Sequence, residues 1–253
     1  MKVKVGDYDI DIVVQGFPGK SVCHGGLGWS SVVLIRAHGR IALVDTGGVS
    51  MRSMLLKRFA ERGLKPADIT DLLLTHSHHD HSINWTMFPK ARIVIGDHEL
   101  KWSLTVPWGE TPVAELYMRE LNTWPTLHTA KEGEEIFPGI TAHLVPGHTP
   151  GHLLFVLHTS ERDVIFAGDA AKNRAELVSG TTDMTYDAAV SKASIEKIWG
   201  FWRKRPGNIV VPGHDVPMVL EDGKPKYIDK REAAITAWYG DDMETTTFFK
   251  LTL

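Results

Sequence analysis

The chain has 253 residues, 43% of them hydrophobic and 23% charged, with a formal net charge of −3. That suits one globular domain of the larger α/β kind, or two small ones, and excludes a disordered chain. No basic excess is present to attract a phosphate backbone, no apolar run nears the roughly 18 residues that span a bilayer, and the one cysteine, Cys23, rules out an intrachain disulfide. The expected partner is therefore a small molecule, not nucleic acid or membrane. Cys23 is expected to be a small apolar packing residue. The N-terminus alternates charge and hydrophobe without a signal peptide's apolar middle, so a cytoplasmic protein is expected.

Val3 to Val14 reads as strand, broken by a turn at Gly6-Asp7. Gly16 to Gly28 is glycine-rich loop. Ser31 to Arg36 and Ile41 to Val44 read as a hairpin about Ala37-His38-Gly39. Met51 to Arg62 has helical spacing, with Met54, Leu55 and Phe59 on one face and Gly63 as its stop. Ile69 to Leu74 is a short apolar run that predicts a buried strand. Arg92 to Ile95 predicts another strand, Asp97 opens a helix, and Val113 to Leu121 forms the next. Ile140 to Val145, Leu153 to His158 and Val164 to Ala167 predict three successive strands. Ser191 to Arg203 is an amphipathic helix, with Trp199 and Trp202 assigned to the core, and Asn208 to Val211 is the last clear strand. With no linker, charge block or repeat, a single layered α/β domain over residues 1–253 is the simplest organisation.

Five polar clusters each sit just past an apolar strand: Asp45, His76 to His81, His148, Asp169 and His214. Strand ends on one edge can converge on a single site. The strongest signal is Thr75-His76-Ser77-His78-His79-Asp80-His81. In extended chain His76 and His78 point the same way, and the chain must then bend for Asp80 and His81 to join them. Imidazoles with a carboxylate are suitable ligands for zinc or another first-row divalent metal. A solvated polar loop is the plainer alternative, but four histidines and an aspartate are costly to bury as mere packing. Glycines beside the later candidates, in Gly147-His148, Gly168-Asp169 and Gly213-His214, allow close backbone approach.

From about Val3 to His214 this set resembles the metallo-β-lactamase superfamily. The resemblance implies an α/β fold, an αββα sandwich of two mixed sheets flanked by helices, with the site at one edge. It implies that His76, His78 and His148 bind a first metal, that Asp80, His81 and His214 bind a second, and that Asp169 bridges them. Asp45 would steady the ligand loop from behind, and Asp80 would also relay a proton as a catalytic residue. The expected cofactors are two divalent ions, zinc first, with iron, manganese or cobalt as alternatives. A hydroxide shared by the ions would attack a carbonyl carbon. A homodimer is compatible with the resemblance.

The resemblance leaves the substrate open. Asp169 argues against β-lactams, because β-lactamases of this fold generally lack aspartate there. Only 39 residues follow His214, too few for the helical domain of glyoxalase II-like thioesterases. Gly147-His148-Thr149-Pro150-Gly151-His152 is similar to the quorum-quenching lactonases, which typically carry tyrosine three residues after the bridging aspartate; here that residue is Lys172. An ester or lactone hydrolase is the first expectation. The alternatives are a persulfide dioxygenase with one iron on His76, His148 and Asp169, a thioesterase or β-lactamase-like hydrolase, or a binding module on the same fold. Trp29, Lys172 and Asn173 are the substrate-pocket candidates, with Arg174 beside them; for Lys172 to Arg174 a solvated loop is the alternative. Trp85, Trp102, Trp108 and Trp124 are divided between pocket and packing. His79 is read as a packing or substrate-side residue, His152 as a brace for its turn, and His24, His38, His98, His128, His143 and His158 as non-ligands.

Overall fold

The computed structural model describes residues 1–23 and 25–252, so His24 lies outside the described residues. Lys2–Val5 (β1) and Tyr8–Val14 (β2) pair across the Gly6-Asp7 turn, with Val3 opposite Ile10. Lys20–Ser21 (β3) and Gly25–Gly26 (β4) form a minimal pair within the glycine-rich segment. Cys23 lies between them and is exposed, which corrects its expected packing role: two-residue strands give it no core to enter.

Val32–Ala37 (β5) and Arg40–Val44 (β6) follow as the expected hairpin. Next come Arg52–Ala60 (α1), Asp71–Leu73 (β7), His79–Ser82 (α2), Arg92–Gly96 (β8), Asp97–Ser103 (α3), Glu115–Leu121 (α4) and Leu127–Ala130 (β9). The second half runs Glu135–Phe137 (β10), Ile140–Leu144 (β11), Leu153–Leu157 (β12), Val164–Gly168 (β13), Arg174–Ser179 (α5), Ala188–Arg203 (α6) and Ile209–Pro212 (β14). Met218–Glu221 (β15) and Lys224–Tyr227 (β16) extend it, and Ala234–Ala237 (β17) pairs with Thr247–Lys250 (β18).

Two seven-stranded mixed sheets result, in the orders β1-β2-β5-β6-β7-β8-β9 and β10-β11-β12-β13-β14-β15-β16. Their inner faces meet in one apolar layer containing Ile10, Val33, Ile35 and Leu73 from the first sheet and Phe155, Phe166 and Val211 from the second. Alternate residues point outward. Val32, Leu34, Leu72 and Leu74 pack under α1, α3 and α4 with Leu55, Phe59, Leu100 and Met118. Leu154, Val156, Ile165 and Val210 pack under α5 and α6 with Leu177, Ile195, Ile198 and Trp202. Strands buried on both faces give continuous apolar runs instead of alternation, which is how Leu72 to Leu74 and Leu153 to Leu157 appear in the sequence. The fold is an αββα sandwich. Among the described residues no helix is long and apolar enough to cross a membrane.

Strand direction positions the site. β6 and β7 are parallel, and so are β13 and β14. β11 is antiparallel to β12, which is antiparallel to β13, so β11 and β13 run the same way. Asp45, the 76–81 segment, His148, Asp169 and His214 each follow the carboxyl end of one of these strands.

Candidate metal centre

Asp45 leaves β6 with φ 56°, a left-handed conformation that is uncommon outside glycine but tolerated by aspartate. The turn aims its buried carboxylate at the next loop. Oδ1 accepts from the Thr75 amide at 2.8 Å, and Oδ2 lies 2.8 Å from His81 Nδ1. A carboxylate there accepts, so Nδ1 of His81 is the donor and Nε2 is turned toward the rest of the cluster. Thr75 also reaches His76, with Oγ1 3.0 Å from Nδ1. After His78 the chain turns into α2, a single helical turn that supplies the required bend and brings Asp80 and His81 to the same side.

His78 Nδ1 and His148 Nε2 stand 2.9 Å apart, and His76 Nε2 is buried with no hydrogen-bond partner among the described residues. His81 Nε2 and His214 Nε2 face each other at 3.2 Å. Asp80 Oδ2 is 3.4 Å from His214 Nε2 and 3.6 Å from His81 Nε2. Asp169 lies between the two groups: Oδ2 is 3.3 Å from His148 Nε2, while Oδ1 is 3.2 Å from His81 Nε2 and 3.3 Å from His214 Nε2. Ligand atoms fall within 4.8 Å of one another in three sets, namely His76–His78–His148, His76–His81–Asp169 and Asp80–His81–His214. Ring nitrogens converging on one another and a buried nitrogen without a partner are poor arrangements for protein alone. They fit divalent cations, which take these lone pairs together. The donor set is suited to two ions.

The electrostatics divide the cluster. Burial pushes His76 and His148 well below the usual histidine value, and lowers His78 to about 4. Burial opposes the charged form of His81 and His214 too, but the carboxylates of Asp169 and Asp80, with Asp45 for His81, outweigh it and raise both. Asp169 is likewise disfavoured as an anion by burial, yet His214, His81 and His148 hold it well below the carboxylate range. One half therefore presents neutral lone pairs and the other a cluster of carboxylates.

Glycine placement matters at two of the ligand loops. A β-carbon on Gly168, whose φ is 50°, would lie 2.8 Å from both His152 Cε1 and Thr75 Cβ. One on Gly213 would overlap the Asp169 carboxylate and approach the Gly168 carbonyl carbon to 2.8 Å.

Residues 25–214 match the Metallo-beta-lactamase superfamily. The chain belongs to it. Metallo-beta-lactamase domain-containing protein 1 of Rattus norvegicus is 30% identical over 179 residues, covering 69% of this chain and 61% of that protein. N-acyl homoserine lactonase of Bacillus cereus is 26% identical over 164 residues, covering 64% of this chain and 61% of that protein. The matches thus span less than two thirds of these relatives' own length. AidC, a dizinc quorum-quenching lactonase solved with a product, aligns with TM-score 0.74 and 17% identity over 92% of this chain and 98% of that chain, a likeness of fold.

Around this metallo-β-lactamase-type centre the pocket candidates fare differently. Trp29 is half-buried and stacked on Phe17 at 4.8 Å, with its indole N–H donating to the Gln15 carbonyl. The next residue, Ser30, donates to the Asp80 carbonyl, so Trp29 stands beside the ligand loop. Lys172 Nζ is buried 2.9 Å from Glu176 Oε1, an ion pair by distance in which the ammonium makes no hydrogen bond among the described residues. Asn173 caps α5, its Oδ1 accepting from the Glu176 amide, so the helix begins at Arg174, and Lys172 and Asn173 are part-buried just before it. Trp85 is core, edge-on to Trp124 at 4.9 Å. Trp102 meets Tyr186, and exposed Trp108 lies under the Arg119 guanidinium. His152 is fully buried and accepts from the Asp169 amide through Nε2 at 3.0 Å, the bracing contact its position in the turn suggests.

Two supporting residues, Asn84 and Glu99, were not legible. Asn84 donates to the carbonyls of Thr46, Gly47 and Gly48 and fixes the loop after β6. Asp215 accepts from the Arg174 amide and the Tyr227 hydroxyl beside His214. Glu99 is fully buried on α3, and burial raises its pKa. An element as short as α3 carries too little periodicity to mark a buried polar residue.

Proposed function

We propose that the protein is a dinuclear metallo-hydrolase that cleaves an ester, lactone or similar carbonyl bond of a small molecule, with zinc as the working metal. The observation that carries this reading is the placement of Asp169 between two separate groups of imidazoles, within 3.3 Å of His148 on one side and of His81 and His214 on the other. Bound there, two divalent ions would polarise a carbonyl and lower the pKa of a water. The chain's own residues do the rest. Asp45 fixes the His81 tautomer through Nδ1. Asp80 has 27% of its side chain exposed, against 0% for His81 and 5% for Asp169, so it is the carboxylate placed to pass a proton between site and solvent. The ion pair of Lys172 with Glu176 leaves no unbalanced cation there to demand an anionic substrate, which suits a neutral ester or lactone.

The test is metal analysis together with a panel of lactones, esters, thioesters and β-lactams on one preparation. Two ions per chain, with turnover concentrated on lactones or esters, is expected. A single iron with oxygen consumption on a persulfide would overturn it, as would preference for β-lactams.

A further inference from the structure

Glu99 is a carboxylate with no role in the ligand sets, yet it is fully buried and sits directly behind them. Its Oε1 accepts from the Ser77 amide at 2.8 Å and the Ser77 hydroxyl at 2.6 Å. Its Oε2 accepts from the Thr149 hydroxyl at 2.7 Å and the Gly151 amide at 3.1 Å. Ser77 stands between His76 and His78, and Thr149 follows His148. One side chain on α3 therefore ties together the two loops that carry all three imidazoles of the first group. The fit is tight: a β-carbon on Gly151 would overlap the backbone of His98 and Glu99.

We propose that Glu99 is the positioning residue of the first metal group, a carboxyl clamp that sets the occupancy of His76, His78 and His148 without touching the metal. The inference rests on the dinuclear reading. Two of the four donors are backbone amides, one per loop, and they cannot turn round to accept. A carboxyl side chain offers one oxygen to each loop. An amide in its place has one oxygen, so its NH2 must face the N–H of either Ser77 or Gly151, and one loop is released. Asp45 has the corresponding place in the second group, joining Thr75 to His81. The two buried carboxylates thus divide the support of the two groups between them.

The experiment compares metal content during titration with a chelator for the wild type, Glu99→Gln and Thr149→Val. Wild type is expected to release two ions per chain. In Glu99→Gln one ion should leave at about 10- to 100-fold lower chelator, the usual cost of losing a partner that orients ligands, while the other stays. Adding His148→Ala to Glu99→Gln should not change the ion that stays, whereas adding His214→Ala should remove it. Thr149→Val deletes one donor, keeps the shape, and should shift the first release several-fold in the same direction; it keeps the test decisive if Glu99→Gln folds poorly. A release curve equal to wild type in both variants, even with a lower melting temperature, makes Glu99 a structural brace and overturns the clamp alone. A wild type that binds no pair of ions overturns the dinuclear reading and the clamp with it.

Discussion

Gly213 shows how much of this centre depends on single atoms. Its missing side chain is what lets the His214 loop close over Asp169 and the Gly168 backbone. Gly213→Ala places a methyl group on the Asp169 carboxylate, so the oxygen between the two imidazole groups must move. Displacements of an ångström in such sites cost roughly 10²-fold in rate. A fall in turnover of that order is expected, with the fold retained by circular dichroism. Full activity in Gly213→Ala would mean that Asp169 has slack and that its position between the groups is not essential. The donor cluster was legible in the sequence, because His-x-His-x-Asp-His followed by His148, Asp169 and His214 concentrates donors that are expensive to bury, and the structure brings these side chains together. Glu99 and Asn84 were not legible: each is one polar residue in unremarkable sequence, and only the three-dimensional approach of another loop gives it a partner. Lys172 shows the opposite limit. Its position next to the site is legible, but its pairing with Glu176, four residues on, is set by the three-dimensional structure.

At the level of elements, strands buried on both faces were easy to read, and those of the periphery were not. Leu153 to Leu157 is apolar at every position and marks β12 without ambiguity. Lys224-Pro-Lys-Tyr227 carries two lysines and a proline, and forms β16 only because β15 and its own turn hold it at the sheet edge, where a proline is tolerated. The short β9 and β10 leave no sequence signal for the same reason: their partners, and not their composition, make them strands. α6 shows how an element outside the site supports it. Asp187 caps the helix, Oδ1 accepting from the amides of Ala189 and Val190 at 3.0 Å each, while its own amide donates to the Gly147 carbonyl. Thr185 and Ser194 donate to the carbonyls of Gly147 and Pro146. The start of α6 thus holds the turn that presents His148. Removing the cap in Asp187→Ala should cost about 1 kcal/mol, lowering the melting temperature by roughly 2–4 °C for a chain of this size. The backbone contacts to Gly147 remain, so metal content should not change. An unchanged melting temperature would show that the cap contributes nothing, and loss of metal would show that the side chain supports His148 directly.

The whole molecule is organised so that neither sheet holds the site alone. Asp45, His76, His78, Asp80 and His81 come from loops of the first sheet, and His148, Asp169 and His214 from loops of the second. The apolar layer between the sheets sets their separation, and the donor cluster occupies the rim where both sets of strand ends emerge. Ions bound at this rim join the two halves of the sandwich and bind the folded chain only, since the unfolded chain brings no such cluster together. Occupancy at a hundred times the dissociation constant stabilises by about 2.7 kcal/mol per ion. For a chain of this size that is roughly 5–10 °C of melting temperature per ion. Exhaustive chelation should therefore lower the melting temperature by at least that amount, and restoring zinc should recover it in a concentration-dependent way. The apolar layers are untouched by chelation, so secondary structure at room temperature should persist in the metal-free chain. A melting temperature indifferent to chelation, in a preparation shown to have lost its metal, would mean that hydrogen bonds such as Ser31 to Gly213 already hold the two rims together and that the ions serve chemistry without joining the sheets.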